Sequence, residues 1–118
     1  MKYIELPFPL PTLNEYISGE RANKYIGAKI KREATNKCVP FFNGVKFKTP
    51  IELEILWVVK DRRKDYDNIA FAKKFILDAM VKAGAIPNDG QKYVSGTRGE
   101  HVVVGEKECV LIKIYEEG

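Results

Sequence analysis

Residues 51–84 read IELEILWVVKDRRKDYDNIAFAKKFILDAMVKAG, and how this stretch is parsed sets the fold. Its first nine residues, 51–59, alternate apolar and acidic positions and then run continuously apolar, which predicts a long strand near the centre of a sheet. From Asp67 to Ala83 the period changes. At about 100° per residue, Ile69, Ala72, Ile76, Ala79, Met80 and Ala83 fall on one stripe, the signature of an amphipathic helix packed on a sheet. Gly84 ends that helix, because glycine reaches positive φ without strain.

Working outward, YIEL at 3–6 predicts a short strand, closed by PFPLP, where prolines at 7, 9 and 11 forbid a helix. A helix rich in Lys, Ala and Ile is expected between about Glu20 and Val39. Asn43-Gly44 and IPNDGQ are turns, and two further strands are expected near 92–98 and 108–115. The predicted order is β-α-β-α-β-β. This is an α+β class, a mixed sheet packed with two main helices in one domain over 1–118.

Composition agrees. The chain has 118 residues, 45% hydrophobic and 31% charged, which fits one globular domain and excludes a disordered chain. No apolar run approaches the roughly 20 residues that cross a bilayer, and MKYIELPFPLP suits neither a signal nor a transit peptide, so a cytoplasmic protein is expected. Cys38 and Cys109 lie far apart with no histidine cluster nearby; they read as buried thiols of a reducing compartment. The net charge of +4 tilts partners towards polyanions, and the clusters say more than the total: KIKR at 29–32 and KDRRK at 60–64.

Between the central strand and its helix stands RRKDYDN, 62–68. Two carboxylates about 4 Å apart repel by roughly 4 kcal/mol at an effective dielectric near 20, so Asp65 and Asp67 need a proton, a cation or a metal ion to stand together. Salt bridges to Arg62, Arg63 and Lys64 would suffice, and Asp67 would also serve as the N-cap of the helix it opens. That reading explains Asp67 well and does not require Asp65. Asp89 is a third candidate, although Asn88-Asp89-Gly90 is a turn signal in its own right. An EF-hand would need further oxygen ligands at fixed offsets, and no phosphate-binding glycine-rich loop is present. With His101 the only histidine, a histidine-based triad or multi-histidine zinc site is out of reach.

KDRRKDYDN, the helix leading to LDAMVKAG, and NDGQ, in this order, resemble the RusA-type Holliday junction resolvases, small dimeric endonucleases of phages and prophages. The likeness extends to the opening strand, its proline-rich turn and Asn14. It implies that Asp65, Asp67 and Asp89 bind Mg²⁺, assisted by a helix lysine, and that a homodimer nicks opposing strands of four-way DNA junctions in recombination and repair. Hard carboxylate oxygens suit Mg²⁺. Arg62, Arg63 and Lys64 would then grip backbone phosphates, with Lys60, Lys73 and Asn14 as further DNA contacts. The family's lysine lies four residues after its second aspartate, which here is Phe71, and four before the aspartate of its Asp-Ala-Leu, which here is Lys74. Lys74 falls about 20° from Asp67 around an ideal helix and about 10.5 Å along it. Lys73 falls about 120° away, at the edge of the apolar stripe, where a snorkelling structural role is expected. Lys74 is therefore the expected catalytic lysine. Three rivals remain: a binding module without turnover, a Mg²⁺-dependent nuclease for another branched DNA, and a partner-binding protein whose acidic cluster is only capped and salt-bridged.

Overall fold

The computed structural model describes residues 1–117. Four strands, β1 (Lys2–Leu6), β2 (Ile51–Val59), β3 (Val94–Val104) and β4 (Cys109–Tyr115), form one sheet in the order β1-β4-β2-β3. The β2–β3 pair is parallel and the other two are antiparallel, so the sheet is mixed and β2 is interior, as its sequence predicts. Inward residues of β2 (Ile51, Leu53, Ile55, Trp57) and β4 (Val110, Ile112, Ile114) are buried, whereas their outward neighbours are only half-covered. The helices therefore cover one face.

Four helices, not two, cover it. A helix that was not expected, α1 (Leu13–Ala22), precedes the expected 20–39 helix, α2 (Lys24–Cys38), as the first arm of a hairpin. Asn23, in extended backbone, is the joint: its N–H donates to Gly19 O at 3.0 Å, and its Oδ1 accepts from Tyr25 N–H at 2.7 Å. One residue thus closes one helix and caps the next. α1 starts directly behind the prolines because Thr12 accepts the Glu15 N–H at 3.3 Å and donates its hydroxyl to the Glu15 carboxylate.

The expected 67–83 helix is two pieces, α3 (Tyr66–Ala70) and α4 (Lys73–Lys82). Between them the chain tightens: Ala72, Lys74 and Phe75 donate to carbonyls three residues back, at 3.0–3.2 Å. Such a turn advances about 120° per residue instead of about 100°. It brings Phe71 and Phe75 edge to face at 5.6 Å, both against the Tyr16 ring of α1. The predicted stripe is otherwise inside, with Ile69, Ala72, Ile76, Ala79 and Met80 buried. Gly84, at φ +81°, ends α4 in a Schellman arrangement, with Ala85 N–H on Met80 O and Gly84 N–H on Val81 O.

β3 runs six residues beyond its expected end. Its start, VSGTRG, carries two glycines and little apolar pattern, and it becomes a strand by pairing with β2 along the whole of that strand. In the segment before β2, Phe42 and Phe47 belong to the core, while the exposed Phe41 packs edge to face on Phe8 at 5.8 Å. Both cysteines are free, and burial pushes the Cys38 thiol up to about 12. Among the described residues no helix is long and apolar enough to cross a membrane.

Candidate metal and nucleic-acid site

β2 delivers the chain at Val59 to a tight charged turn. Asp61 Oδ1 accepts the Arg63 N–H at 3.0 Å, a side-chain mimic of a backbone turn, and Arg63 Nε lies 3.7 Å from Asp61 Oδ2. Lys64 reaches across to Glu15 of α1 at 3.5 Å. These cations therefore take carboxylates other than Asp65 and Asp67. Among the described residues neither aspartate has an ion-pair partner, and both are exposed.

The cap position also differs from expectation. Asp65, at φ −72° and ψ 153°, is the N-cap of α3 and makes no side-chain cap bond, while Asp67 lies within the first turn and accepts only the Asn68 N–H, at 3.0 Å. Salt bridging and capping, the two structural readings of this pair, thus account for neither residue. Asn14 joins them through its backbone: its N–H donates to Asn68 Oδ1 at 2.9 Å, which docks the start of α1 on the Asp-x-Asp-Asn turn. Lys60 and Arg62 flank the turn, and Arg62 has no ion-pair partner among the described residues. Arg62, Lys64 and Tyr66 line a cavity of about 510 Å³ with Val59 and the end of β3.

Asp89 is placed elsewhere. In its turn Asn88 Oδ1, not Asp89, accepts the Gly90 N–H, at 2.7 Å. Asp89 lines a groove with Asp78, Val81 and Lys82, in the second half of α4. No three His, Cys, Asp or Glu side chains are gathered for a metal among the described residues. The pair Asp65 and Asp67 still fits Mg²⁺, which is commonly held by one or two carboxylates and keeps its waters.

The two lysines part company. Lys74 is exposed and pairs with Asp78 one turn on, at 3.6 Å. Lys73 turns under the sheet edge and donates to Glu100 Oε1 at 2.5 Å. Glu100, on β3 opposite Ile55 of β2, points to the helix side with its side chain only 6% exposed. Its other oxygen accepts Trp57 Nε1–H at 2.7 Å, and the Tyr66 hydroxyl lies within reach. Burial by itself would raise the Glu100 pKa, but the bonds from Lys73, Trp57 and Tyr66 outweigh it and hold the carboxyl below its ordinary range. Burial and the Glu100 contact raise the Tyr66 hydroxyl. Tyr66 stands between Asp65 and Asp67, so the Glu100 cluster lies close to the turn that carries them. Glu100 was invisible in the sequence, because its inward direction follows from the β2–β3 register.

No protein-family model matches the chain, and no curated protein matches it.

If the charged turn contacts DNA, counterion release makes binding fall steeply with salt. Arg62→Ala with Arg63→Ala is expected to flatten the slope of log affinity against log salt by about 0.9 for each phosphate the protein ceases to neutralise. An unchanged slope in anisotropy titrations would restrict the pair to the protein's own turn.

Proposed function

We propose that this chain is a Mg²⁺-dependent endodeoxyribonuclease that acts on branched DNA, in particular four-way junctions. The observation that carries the reading is the pair of exposed carboxylates, Asp65 and Asp67, left without a counter-cation inside a turn that holds Lys60, Arg62, Arg63 and Lys64. A protein that only bound DNA would gain nothing from uncompensated negative charge beside its phosphate contacts. Asp65 and Asp67 would hold the ion, with Asp89 the third ligand that the resolvase motifs imply. Mg²⁺ there would supply positive charge that polarises the scissile phosphodiester. The chain's own residues do the rest: the cations would seat the backbone, Asn68 orients Asp67 through its N–H, and Asn68 Oδ1 docks the turn on the start of α1. A homodimer, which the same motifs imply, would present two such sites to two strands related by the junction's own symmetry.

The separation of Asp89 from the aspartate pair favours a second reading, a junction-binding module without turnover. Incubating the full chain with four-way junction, flap and duplex DNA, with and without Mg²⁺, decides between them. The expected result is paired nicks in the junction only with Mg²⁺. Binding without nicks at any Mg²⁺ concentration would establish the second reading.

Lys74 is the candidate for electrostatic stabilisation of charge developing at the phosphate. Lys74→Ala is expected to lower single-turnover cleavage at least about tenfold with the fold retained, since Lys74 is exposed and among the described residues it pairs only with Asp78, one turn on. Wild-type rates would remove a helix lysine from the mechanism.

A further inference from the structure

The KIKR segment, which the aspartate site does not use, lies on α2 beside a groove of about 500 Å³ between α2 and the second half of α4. Lys31, Arg32, Thr35 and Asn36 are spaced three and four residues apart, share one face of α2 and line the groove together with Lys82 of α4. Each of the five offers a hydrogen-bond donor. Lys82 Nζ donates to Asn36 Oδ1, which occupies the acceptor end of that amide and leaves its NH₂ as the free end.

Charge points the same way. Among the described residues Lys31, Arg32 and Lys82 have no carboxylate within ion-pair distance, while Asp78 in the same lining is already neutralised by Lys74 at 3.6 Å. Of the described residues in the lining, Asp89 is then the one unpaired acid facing three unpaired cations. A second, independent observation is Thr35. It is 8% exposed, and its Oγ1 is the only buried side-chain polar atom among the described residues without a hydrogen-bond partner. A threonine inside a helix ordinarily returns its hydroxyl to the carbonyl one turn back; leaving it unmade costs about 1–3 kcal/mol.

We propose that the α2–α4 groove is a phosphate-binding site, with Arg32, Lys31 and Lys82 supplying charge and Asn36 and Thr35 supplying neutral donors. Three cations and two neutral donors face one unpaired acid, Asp89, so on balance the lining suits an acceptor-only tetrahedral anion. The phosphate it takes is assigned to a nucleic-acid backbone, because clustered Lys and Arg with Thr and Asn donors are the groups that contact backbone phosphates. The anion site stands on the groove itself; only its assignment to DNA rests on the endonuclease reading.

The test uses the ¹⁵N-labelled full chain titrated with inorganic phosphate, against chloride at equal ionic strength. Saturable amide shifts confined to residues 31–36 and 82 are expected, and Arg32→Gln with Lys82→Gln should abolish them. Shifts equal to those in chloride, or spread over the whole basic surface, would overturn the site. Thr35→Val guards against a folding artefact: it should raise the melting temperature without phosphate, by removing the unpaired hydroxyl, and forgo the further rise that phosphate gives the wild type. A wild-type phosphate response in Thr35→Val would overturn the assignment of that hydroxyl. With a short DNA duplex, the Arg32→Gln, Lys82→Gln protein should bind about tenfold more weakly, with a salt slope flatter by about 0.9 for each phosphate left unneutralised. Unchanged duplex affinity alongside an abolished phosphate response would overturn the DNA assignment in favour of free phosphate. Absence of nicking on every DNA would sink the nuclease reading and leave the phosphate shifts standing.

Discussion

Asp65→Asn and Asp67→Asn, made separately, are each expected to reduce Mg²⁺-dependent nicking of a four-way junction by at least about a hundredfold, the scale on which one preorganised electrostatic group acts in a transition state. Junction binding should be unchanged or tighter, because each substitution removes a charge that repels phosphate. Stability should barely move. Asp65 makes no side-chain cap bond, and Asp67 gives up one exposed bond to the Asn68 N–H that asparagine's own oxygen can replace. Gel shifts, nicking and urea melts on the same preparations separate the three quantities. Loss of nicking together with loss of binding would convert the aspartates from metal ligands into structural residues. Asp89→Asn is expected to match them, as the resolvase motifs imply. Full activity in that variant would return Asp89 to its turn and to the groove it lines.

The other large effect is on stability. Lys73→Ala is expected to cost about 3–5 kcal/mol, because it leaves the Glu100 carboxylate buried with only neutral donors. Replacing both partners, Lys73→Met with Glu100→Leu, should recover most of that loss, since a buried pair is commonly no better than well-packed apolar groups of similar size. The pair also predicts a pH dependence. Glu100's folded pKa lies below its ordinary 4.5, so the ionised form stabilises the fold above that value, and the contribution disappears as pH falls through the depressed folded pKa. The gap in urea midpoint between wild type and Glu100→Gln should therefore be widest near neutral pH and close in acid. Trp57 fluorescence reports the transition from inside the cluster, as Trp57 is the only tryptophan and itself donates to Glu100. A gap independent of pH would mean that Glu100 acts through packing alone.

An inward glutamate on an edge strand has a further physical use. β3 exposes one side of its backbone ladder, and a charge directed under the sheet, satisfied by Lys73 and Trp57 of this fold, disfavours pairing with a foreign strand. The same cluster that orients Tyr66 thereby helps keep the open edge from templating aggregation.

Local pattern was enough for much of this protein. The β2 boundaries at Ile51 and Val59, the buried stripe of α4 and the glycine stop at Gly84 all follow from hydrogen-bond period and backbone freedom, which nearby residues dictate. The start of α1 was missed, since a helix was expected only from about Glu20, although Thr12-Leu13-Asn14-Glu15 carries a capping-box spacing that signals it. The acidic pair was visible as an electrostatic anomaly. What only the tertiary structure decided are the meetings of residues far apart in the chain. Contact with Tyr16 accompanies the tight turn at 71–72 that directs Lys73 to Glu100 and leaves Lys74 outside. Pairing with β2 carries β3 six residues past its expected end and turns Glu100 inward. The packing of α2 on α4 sets Asp89 in a cationic groove and away from Asp65 and Asp67. Periodicity and caps carry information over a few residues along the chain; register and packing depend on surfaces that exist only once separate elements have docked.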